Sequence, residues 1–256
     1  MIKIKKDNIL YPLEWRRDIL DFLYKEIIED EIYNEFFNFN DNDVIVDLGA
    51  NIGLYSLYAI NKMPSISKIY MVEPLMKNFD YMIRNIIYNR NDIHKFIFIK
   101  AGISKTGFLN FLKENYSHSP DINESDIGIG DDNELYEKIK MFSFMDFIEF
   151  YNIDKIDILK LDIEGSEVQM FDEETFEYFK NNDVKICSEF HPTKRRYAKE
   201  LLNIIKRFID MGYEIKITST DGFDIKNNII NNVYLSNEKM YSWDYYNQYL
   251  FYAKRS

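Results

Sequence analysis

The fold of this chain is decided by one stretch, DVIVDLGANIGLYSLYAI at positions 43–60. It opens with the apolar run Val44–Val46, which is too short for a helix and rich in β-branched residues, and which therefore predicts a buried strand. Asp47 ends the strand, Gly49 and Gly53 bracket a turn, and helical spacing resumes directly afterwards. A strand, a glycine turn and a helix in this order form the first half of a nucleotide-binding βαβ unit.

The spacing of the glycines narrows the class of ligand. A dinucleotide site reads G-x-G-x-x-G, whereas this turn reads D-x-G-x-x-x-G, with Asn51 where the second glycine would stand. The terminal Asp47 suits a ligand that carries a positive charge. The next strand pattern, KIYMVE, ends in Glu73, and a carboxylate there can accept both hydroxyls of a ribose. S-adenosylmethionine fits both acids, because it has a positively charged sulfur for Asp47 and ribose hydroxyls for Glu73. The alternative to a ligand site is a buried strand followed by an ordinary glycine turn.

The composition is that of a globular protein long enough for one large domain. The chain has 256 residues, of which 46% are hydrophobic and 29% charged, and its net charge of −11 argues against tight non-specific nucleic-acid binding. The single cysteine, Cys187, is expected to be an inert core residue, consistent with a reducing, cytoplasmic compartment. We expect neither a signal peptide nor a membrane span, because no window approaches ~18 consecutive apolar residues.

Strand and helix patterns alternate along most of the chain. This alternation predicts an α/β, Rossmann-like fold with a mostly parallel, doubly wound sheet and helices on both faces. Strand patterns occupy 69–73, 96–101, 156–161 and 184–190, a short extra strand is possible at 108–112, and helix patterns occupy 75–88, 142–151, 168–179 and 195–211. A closing antiparallel pair is expected from 213–218 with either 232–235 or 249–252.

Two segments differ from this alternation. Residues 1–42 predict an N-terminal helical cap on the sheet of a main domain at 43–256. Trp15 and Tyr33 in this cap could face the ligand, but we expect them to pack in the core. Residues 114–138 are polar, acidic and aperiodic, which is typical of a functional lid over a site or of a disordered loop.

Polar residues recur at the predicted carboxyl ends of the strands, where open α/β sheets bind ligands. KLDIEGSE at 160–167 contributes Asp162 and Glu164, and His191 follows the fifth strand pattern and precedes Pro192. A histidine and two carboxylates in one cleft can deprotonate a hydroxyl or bind a metal ion. We favour the base, since the sequence has no close pair of histidine or cysteine ligands.

Three motifs together resemble the FkbM family of S-adenosylmethionine-dependent methyltransferases. They are DLGANIG at 47–53, VEP at 72–74 and KLDIEGSE at 160–167, and the third is the most specific. EFH at 189–191 fits the acid and histidine that the family has at that strand end. The resemblance implies a seven-stranded sheet with a reversed last strand. It also implies methyl transfer to a hydroxyl of a glycan, glycolipid or small metabolite.

The resemblance implies roles for individual residues. Glu73 would hold the ribose, and Asp162 and Glu164 would face the transferring methyl group, beside His191 as the candidate base. Ser104 stands where many methyltransferases place an acid near the adenine. The residues expected to line the cofactor are Asp47, Gly49, Ala50, Asn51, Gly53, Glu73, Pro74, Ser104 and Asp162.

Two other functions are compatible with part of the sequence. Some transfer-RNA methyltransferases carry a similar turn, but they would be expected to show a basic face and often an N-P-P-Y-like turn where this chain has KLDIEG. A non-catalytic nucleotide-binding protein is the other alternative. The presence of Asp47, Glu73, Asp162 and His191 in one chain weighs against it.

Overall fold

The structure is a computed structural model, and it describes residues 4–12, 15, 17–112, 136–190, 195–219 and 249–255. Within these residues the strands are β1 (Val44–Leu48), β2 (Lys68–Val72), β3 (Phe96–Ile99), β4 (Gly102–Ile103), β5 (Gly107–Leu112), β6 (Tyr136–Phe142), β7 (Ile158–Leu161), β8 (Lys185–Phe190), β9 (Tyr213–Ser219) and β10 (Tyr249–Arg255). The α-helices are α1 (Arg17–Tyr24), α2 (Leu54–Lys62), α3 (Met76–Asn89), α4 (Phe144–Phe150), α5 (Glu167–Met170), α6 (Glu173–Asn181) and α7 (Arg195–Asp210).

The main sheet has seven strands in the order β3-β2-β1-β7-β8-β10-β9. Neighbouring strands pair in parallel, except that β10 runs antiparallel to both β8 and β9. The predicted Rossmann-like sheet with a reversed last strand is therefore confirmed, and 249–252 is confirmed as part of the closing pair. The alternative segment, 232–235, lies outside the described residues.

The pairing register brings polar residues of three strands together. Asp47 of β1 is level with Lys160 of β7, and Lys160 is level with Cys187 of β8. Level residues on parallel strands point to the same face, and side chains alternate between faces along a strand. Asp47, Lys160 and Glu189, two positions after Cys187, therefore share one face of the sheet near its carboxyl edge.

Each face of the sheet carries its own hydrophobic core. The face that bears Asp47 is covered by α2 and by N-terminal residues such as Leu20 and Tyr33. The opposite face is covered by α4, α6 and α7, through residues such as Phe147, Phe179 and Phe208. The N-terminal segment thus packs on the polar-bearing face, and among the described residues no helix has the length and hydropathy needed to cross a bilayer.

A second, three-stranded sheet has the order β4-β6-β5. It includes the short extra strand expected at 108–112, but β6 was missed, because residues 136–138 were assigned to the polar loop. β6 alternates buried Glu137 and Ile139 with exposed lysines, so charged residues mask its strand pattern. Residues 114–135 of the expected loop lie outside the described residues.

The single helix expected over 168–179 is also wrong, because the structure has two helices there, α5 and α6. Phe171 leaves the helical conformation, and Asp172 Oδ1 accepts a 2.9 Å hydrogen bond from the Thr175 amide as the N-cap of α6. An aspartate followed by two glutamates is a helix-start signal that the periodic apolar pattern concealed.

Candidate active site

The DLGANIG motif forms a tight turn between β1 and α2. Gly49, Asn51 and Gly53 all have positive φ angles, of 75°, 51° and 86°. The amides of Gly49 and Ala50 donate to Val72 O at 3.0 and 2.9 Å. Only glycine fits at position 49, since a Cβ there would lie 1.7 Å from Asp162 O. The turn therefore touches the ends of both β2 and β7.

Glu73 follows β2 and lies against this turn. Its Oε2 accepts the Asn51 amide at 2.9 Å, and its Oε1 accepts the Leu75 amide, beyond Pro74, at 3.0 Å. The side chain is buried, and burial raises the pKa of Glu73 to about 7, although the two amides favour the charged form. The structure thus brings together Glu73 and the glycine turn, which the sequence assigned to one cofactor.

Asp47 lies in the interior, below the turn. Its Oδ2 accepts a 2.7 Å hydrogen bond from Ser56 Oγ, and its Oδ1 is 3.6 Å from Lys160 Nζ. The residue is fully buried, and burial raises its pKa against the opposing effects of Lys160 and Ser56. The Asp47 carboxylate thus lies beneath the glycine turn and stabilises it.

Lys160 links the turn to the acids around it. Its Nζ donates to Gly49 O at 2.8 Å and lies 3.3 Å from Asp162 Oδ2. Burial alone would lower the pKa of this amine, but Asp162 and Asp47 outweigh burial and raise it. Lys160 is therefore a buried cation that connects the turn after β1 to the end of β7.

Asp162 and Glu189 meet through a tyrosine. The hydroxyl of Tyr33 lies 2.9 Å from Glu189 Oε2 and 3.3 Å from Asp162 Oδ2. Glu189 is buried, whereas the Asp162 side chain keeps 24% of its surface exposed. Tyr33 packs in the core as expected, and its hydroxyl also lies at the site, which is the alternative that the sequence leaves open; its carboxylate partners are not predictable, since no local signal connects residues 129 positions apart.

Glu26 adds a further acid to this group. It lies in a π-helical turn, Lys25–Glu29, that continues α1. Burial, together with the charges of Glu189 and Asp162, raises the pKa of Glu26 to about 8. Sequence analysis missed this residue, because one glutamate among many on an amphipathic helix carries no distinguishing pattern.

The loop after β7 arranges the remaining carboxylates. Glu164 has a φ angle of 54°, so it leaves the strand direction that Lys160 and Asp162 follow. Glu167 is buried, and its carboxylate accepts hydrogen bonds from the amides of Ile163 and Gly165 at 2.9–3.1 Å. Glu167 thus holds the loop.

Ser104 and His191 are two further residues that the sequence predicts for the site. Ser104, after β4, is buried, and its Oγ lies 2.5 Å from Gln169 Oε1 on α5. His191 lies outside the described residues. Within the described residues, no group of three or more histidine, cysteine or acidic side chains is arranged to hold a metal ion.

Comparisons with known proteins identify relatives of this chain. The family model described as Methyltransferase FkbM domain matches residues 47–215. Methyltransferase sdnD of Sordaria araneosa is 29% identical over 193 residues, which cover 62% of this chain and 72% of that protein. Methyltransferase 1 of Beauveria bassiana (strain ARSEF 2860) is 28% identical over 210 residues, which cover 73% of this chain and 81% of that protein.

Two solved structures are also similar to this chain. The crystal structure of the methyltransferase FkbM from Methylobacillus flagellatus KT is 17% identical with a TM-score of 0.49, and the match covers 72% of this chain but 42% of that chain. The precorrin-6y C5,15-methyltransferase of Geobacter metallireducens GS-15 is 11% identical with a TM-score of 0.46, covering 98% and 94% of the two chains.

Proposed function

This chain belongs to the FkbM family of methyltransferases, and from that premise we propose that it is an S-adenosylmethionine-dependent O-methyltransferase. Its acceptor is a hydroxyl group on a glycan, a glycolipid or a small metabolite. The observation that carries the proposal is the contact of the buried Glu73 carboxylate with the Asn51 amide of the glycine turn. This contact joins a ribose-binding acid to a turn suited to the methionine part of the cofactor.

The residues present fit S-adenosylmethionine. The Glu73 carboxylate accepts the amides of Asn51 and Leu75 and a side-chain hydrogen bond from Asn78, and it keeps acceptor capacity for a ribose hydroxyl. Asn51 Oδ1 is a buried acceptor that has no hydrogen-bond partner among the described residues. A polar ligand group that donates to it removes the cost of that unmade hydrogen bond. When bound, the cofactor supplies a methyl group on a positively charged sulfur.

Asp162, Glu164 and His191 are proposed to act on the acceptor. Asp162 is partly exposed beside Gly49, so it can contact both the cofactor and a hydroxyl next to it. His191 is proposed as the base, because an imidazole with an unperturbed pKa of ~6.5 can take a proton at neutral pH. Carboxylates after β7 accept the hydrogen bond of a hydroxyl, which supports oxygen as the methylated atom.

The test starts with binding and ends with product. We expect S-adenosylhomocysteine to bind in calorimetry, and methyl-tritiated S-adenosylmethionine to label a glycan or metabolite fraction as a methyl ether. Labelling of transfer RNA in a parallel reaction would overturn the proposed acceptor class. Absence of cofactor binding would overturn the function as a whole.

Variants then assign the roles at the acceptor side. His191→Ala is expected to lower turnover by ~10²–10⁴-fold with cofactor affinity nearly unchanged, the effect of removing a positioned base. Asp162→Asn is expected to weaken both cofactor binding and turnover. Full turnover in His191→Ala would show that a carboxylate, and not His191, acts as the base. Loss of activity after addition of a chelator would show that these residues bind a metal ion.

A further inference from the structure

Tyr33 reaches the candidate site from a part of the chain that the family model does not match. The residue lies in a 3-10 turn, Ile32–Asn34, whereas the matched region begins at residue 47. Its ring is buried, with an edge-on contact to Tyr55 at 5.6 Å between centroids and Lys160 Nζ at 5.4 Å from its own centroid. These neighbours fix the ring, so the hydroxyl has one place to point.

That place lies between two carboxylates from different strands. Asp162 follows β7 and Glu189 is near the end of β8, and the Tyr33 hydroxyl is within 3.3 and 2.9 Å of them. A phenol has a single proton, so a carboxylate at each side competes for one donor. Burial, followed by the charges of the two carboxylates, holds the pKa of Tyr33 well above its usual range, so the group stays a neutral donor.

We propose that Tyr33 is a positioning residue, whose hydroxyl holds Asp162 and Glu189 as one unit beside the glycine turn. The N-terminal segment thereby completes the methyl-transfer site. The inference rests on the proposed function, since it assigns a role within that same site. The carboxylate of Asp162 is the exposed member of the unit, and Glu189 backs it from the buried side.

The physical reason is the free-energy cost of holding two negatively charged side chains close together in a largely buried site. Asp162 and Glu189 repel each other, with Glu26 as a third acid and Lys160 as the nearby cation. The Tyr33 hydroxyl lies between the two carboxylates and donates its proton to one of them at a time, and this shared donor offsets part of the repulsion. Without it, the exposed Asp162 side chain can turn away from the turn, and the negative potential next to a bound sulfonium falls.

The affinities of two natural ligands report the electrostatic potential beside the sulfur. S-adenosylmethionine carries the sulfonium charge and S-adenosylhomocysteine lacks it, so the ratio of their Kd values reports the charge beside the sulfur. In Tyr33→Phe, which keeps the ring, we expect the preference for S-adenosylmethionine to fall about tenfold relative to wild type. A purely structural role would weaken both ligands equally and leave the ratio unchanged.

Tyr24→Phe is the matched control. Tyr24 is a buried tyrosine of the same N-terminal segment, and its hydroxyl donates to Ile4 O at 2.7 Å, within that segment. We expect this variant to alter thermal stability and to leave the ratio of Kd values at the wild-type level. An equal fall of the ratio in both variants would overturn the proposal.

A double-mutant cycle shows whether Tyr33 acts through the carboxylates. If it does, the effects of Tyr33→Phe and Asp162→Asn on the ratio are non-additive, whereas additive effects overturn the proposal. Should Tyr33→Phe not fold, Glu189→Gln must give the same fall, and an unchanged ratio there overturns it as well. A wild-type protein that binds neither ligand defeats the proposed function and this inference with it; an unchanged ratio with intact binding defeats this inference alone.

Discussion

The amide nitrogen of Asn51 donates a 2.9 Å hydrogen bond to Oε2 of Glu73, across 22 positions of sequence. The contact joins the two motifs from which a nucleoside ligand was predicted. With the Leu75 amide on Oε1, it holds the carboxylate in one orientation before any ligand arrives. Such preorganisation lowers the cost of binding, because the acid does not have to be ordered by the ligand.

Replacing Glu73 tests this assignment. We expect Glu73→Ala to weaken S-adenosylhomocysteine binding by roughly 1.5–3 kcal/mol, the range for hydrogen bonds to a charged group. Glu137→Ala is the control, since Glu137 is also a buried carboxylate that accepts an amide at the start of α3, that of Met76 at 3.2 Å. Calorimetry that gives both folded variants the wild-type Kd would remove Glu73 from the ribose site.

Cofactor affinity should depend on pH through the same residue. Burial raises the pKa of Glu73 to about 7 in the free protein, and ribose hydroxyls that donate to it favour the ionised form. Binding therefore releases a proton below pH 7, and affinity rises with pH until the carboxylate is ionised. We expect Kd for S-adenosylhomocysteine to fall between pH 5.5 and 7.5, by at most about tenfold per pH unit.

Glu73→Gln is the control for this pH dependence, because an amide does not titrate. The variant should bind more weakly and with a flatter pH profile. Calorimetry in buffers of different ionisation enthalpy counts the released proton at pH 6. A wild-type profile as flat as that of the variant contradicts the prediction.

The fold was predictable because its signals are local. The run Val44–Val46, the glycines at 49 and 53, and the acid at 73 each follow from a few neighbouring residues, and the alternation of strands and helices follows from periodicity. β6 was missed for the same reason, since lysines on its exposed side broke the local apolar pattern.

The acceptor side of the site was only half predictable. Asp162 is predicted from its motif at a strand end, whereas Lys160 of the same motif is not among the predicted site residues. Tyr33 could be named only as one possible ligand-facing residue and Glu26 not at all, because their interactions with Asp162 and Glu189 exist only after the N-terminal segment packs on the sheet. Contacts that tertiary packing creates leave no period or spacing in the sequence.

Gly49→Ala is expected to destabilise the protein strongly. Its φ angle of 75° is unfavourable for alanine, and the new Cβ would lie 1.7 Å from Asp162 O, so the turn or the end of β7 must move. Gly212→Ala isolates the first of these costs, since Gly212 has a φ of 84° and no atom within 4 Å of the added Cβ. Urea unfolding should show a loss of ~1–2 kcal/mol for Gly212→Ala and roughly 3–5 kcal/mol for Gly49→Ala.

The same two variants also test whether the turn at Gly49 binds the cofactor. A Gly49→Ala protein that folds should lose S-adenosylhomocysteine binding, whereas Gly212→Ala should retain it, because Gly212 lies between α7 and β9. Equal stability losses in the two variants would mean that the turn accommodates a side chain and that the close approach to Asp162 has no energetic consequence.

Glu26→Gln should make the stability of the protein less dependent on pH. Burial, followed by the charges of Glu189 and Asp162, raises the folded-state pKa of Glu26 to about 8, whereas a glutamate in the unfolded chain has a pKa near ~4.3. The folded protein therefore holds a proton that the unfolded chain releases between these values. The stabilisation from this group is fully present below pH ~4.3 and is lost as the pH rises to about 8.

Glutamine resembles the protonated acid at every pH, so the variant should match wild type near pH 4 and exceed it above. We expect the difference in free energy of unfolding to grow to ~1–3 kcal/mol by pH 8, less than full linkage because Glu26 is partly exposed. Since Glu189 contributes to the raised pKa, repeating the comparison in a Glu189→Gln background should shrink the difference. A difference that is constant from pH 4 to 8, measured by urea unfolding, would show that the pKa of Glu26 is the same in the folded and unfolded protein and that Glu26 lies outside this group of acids.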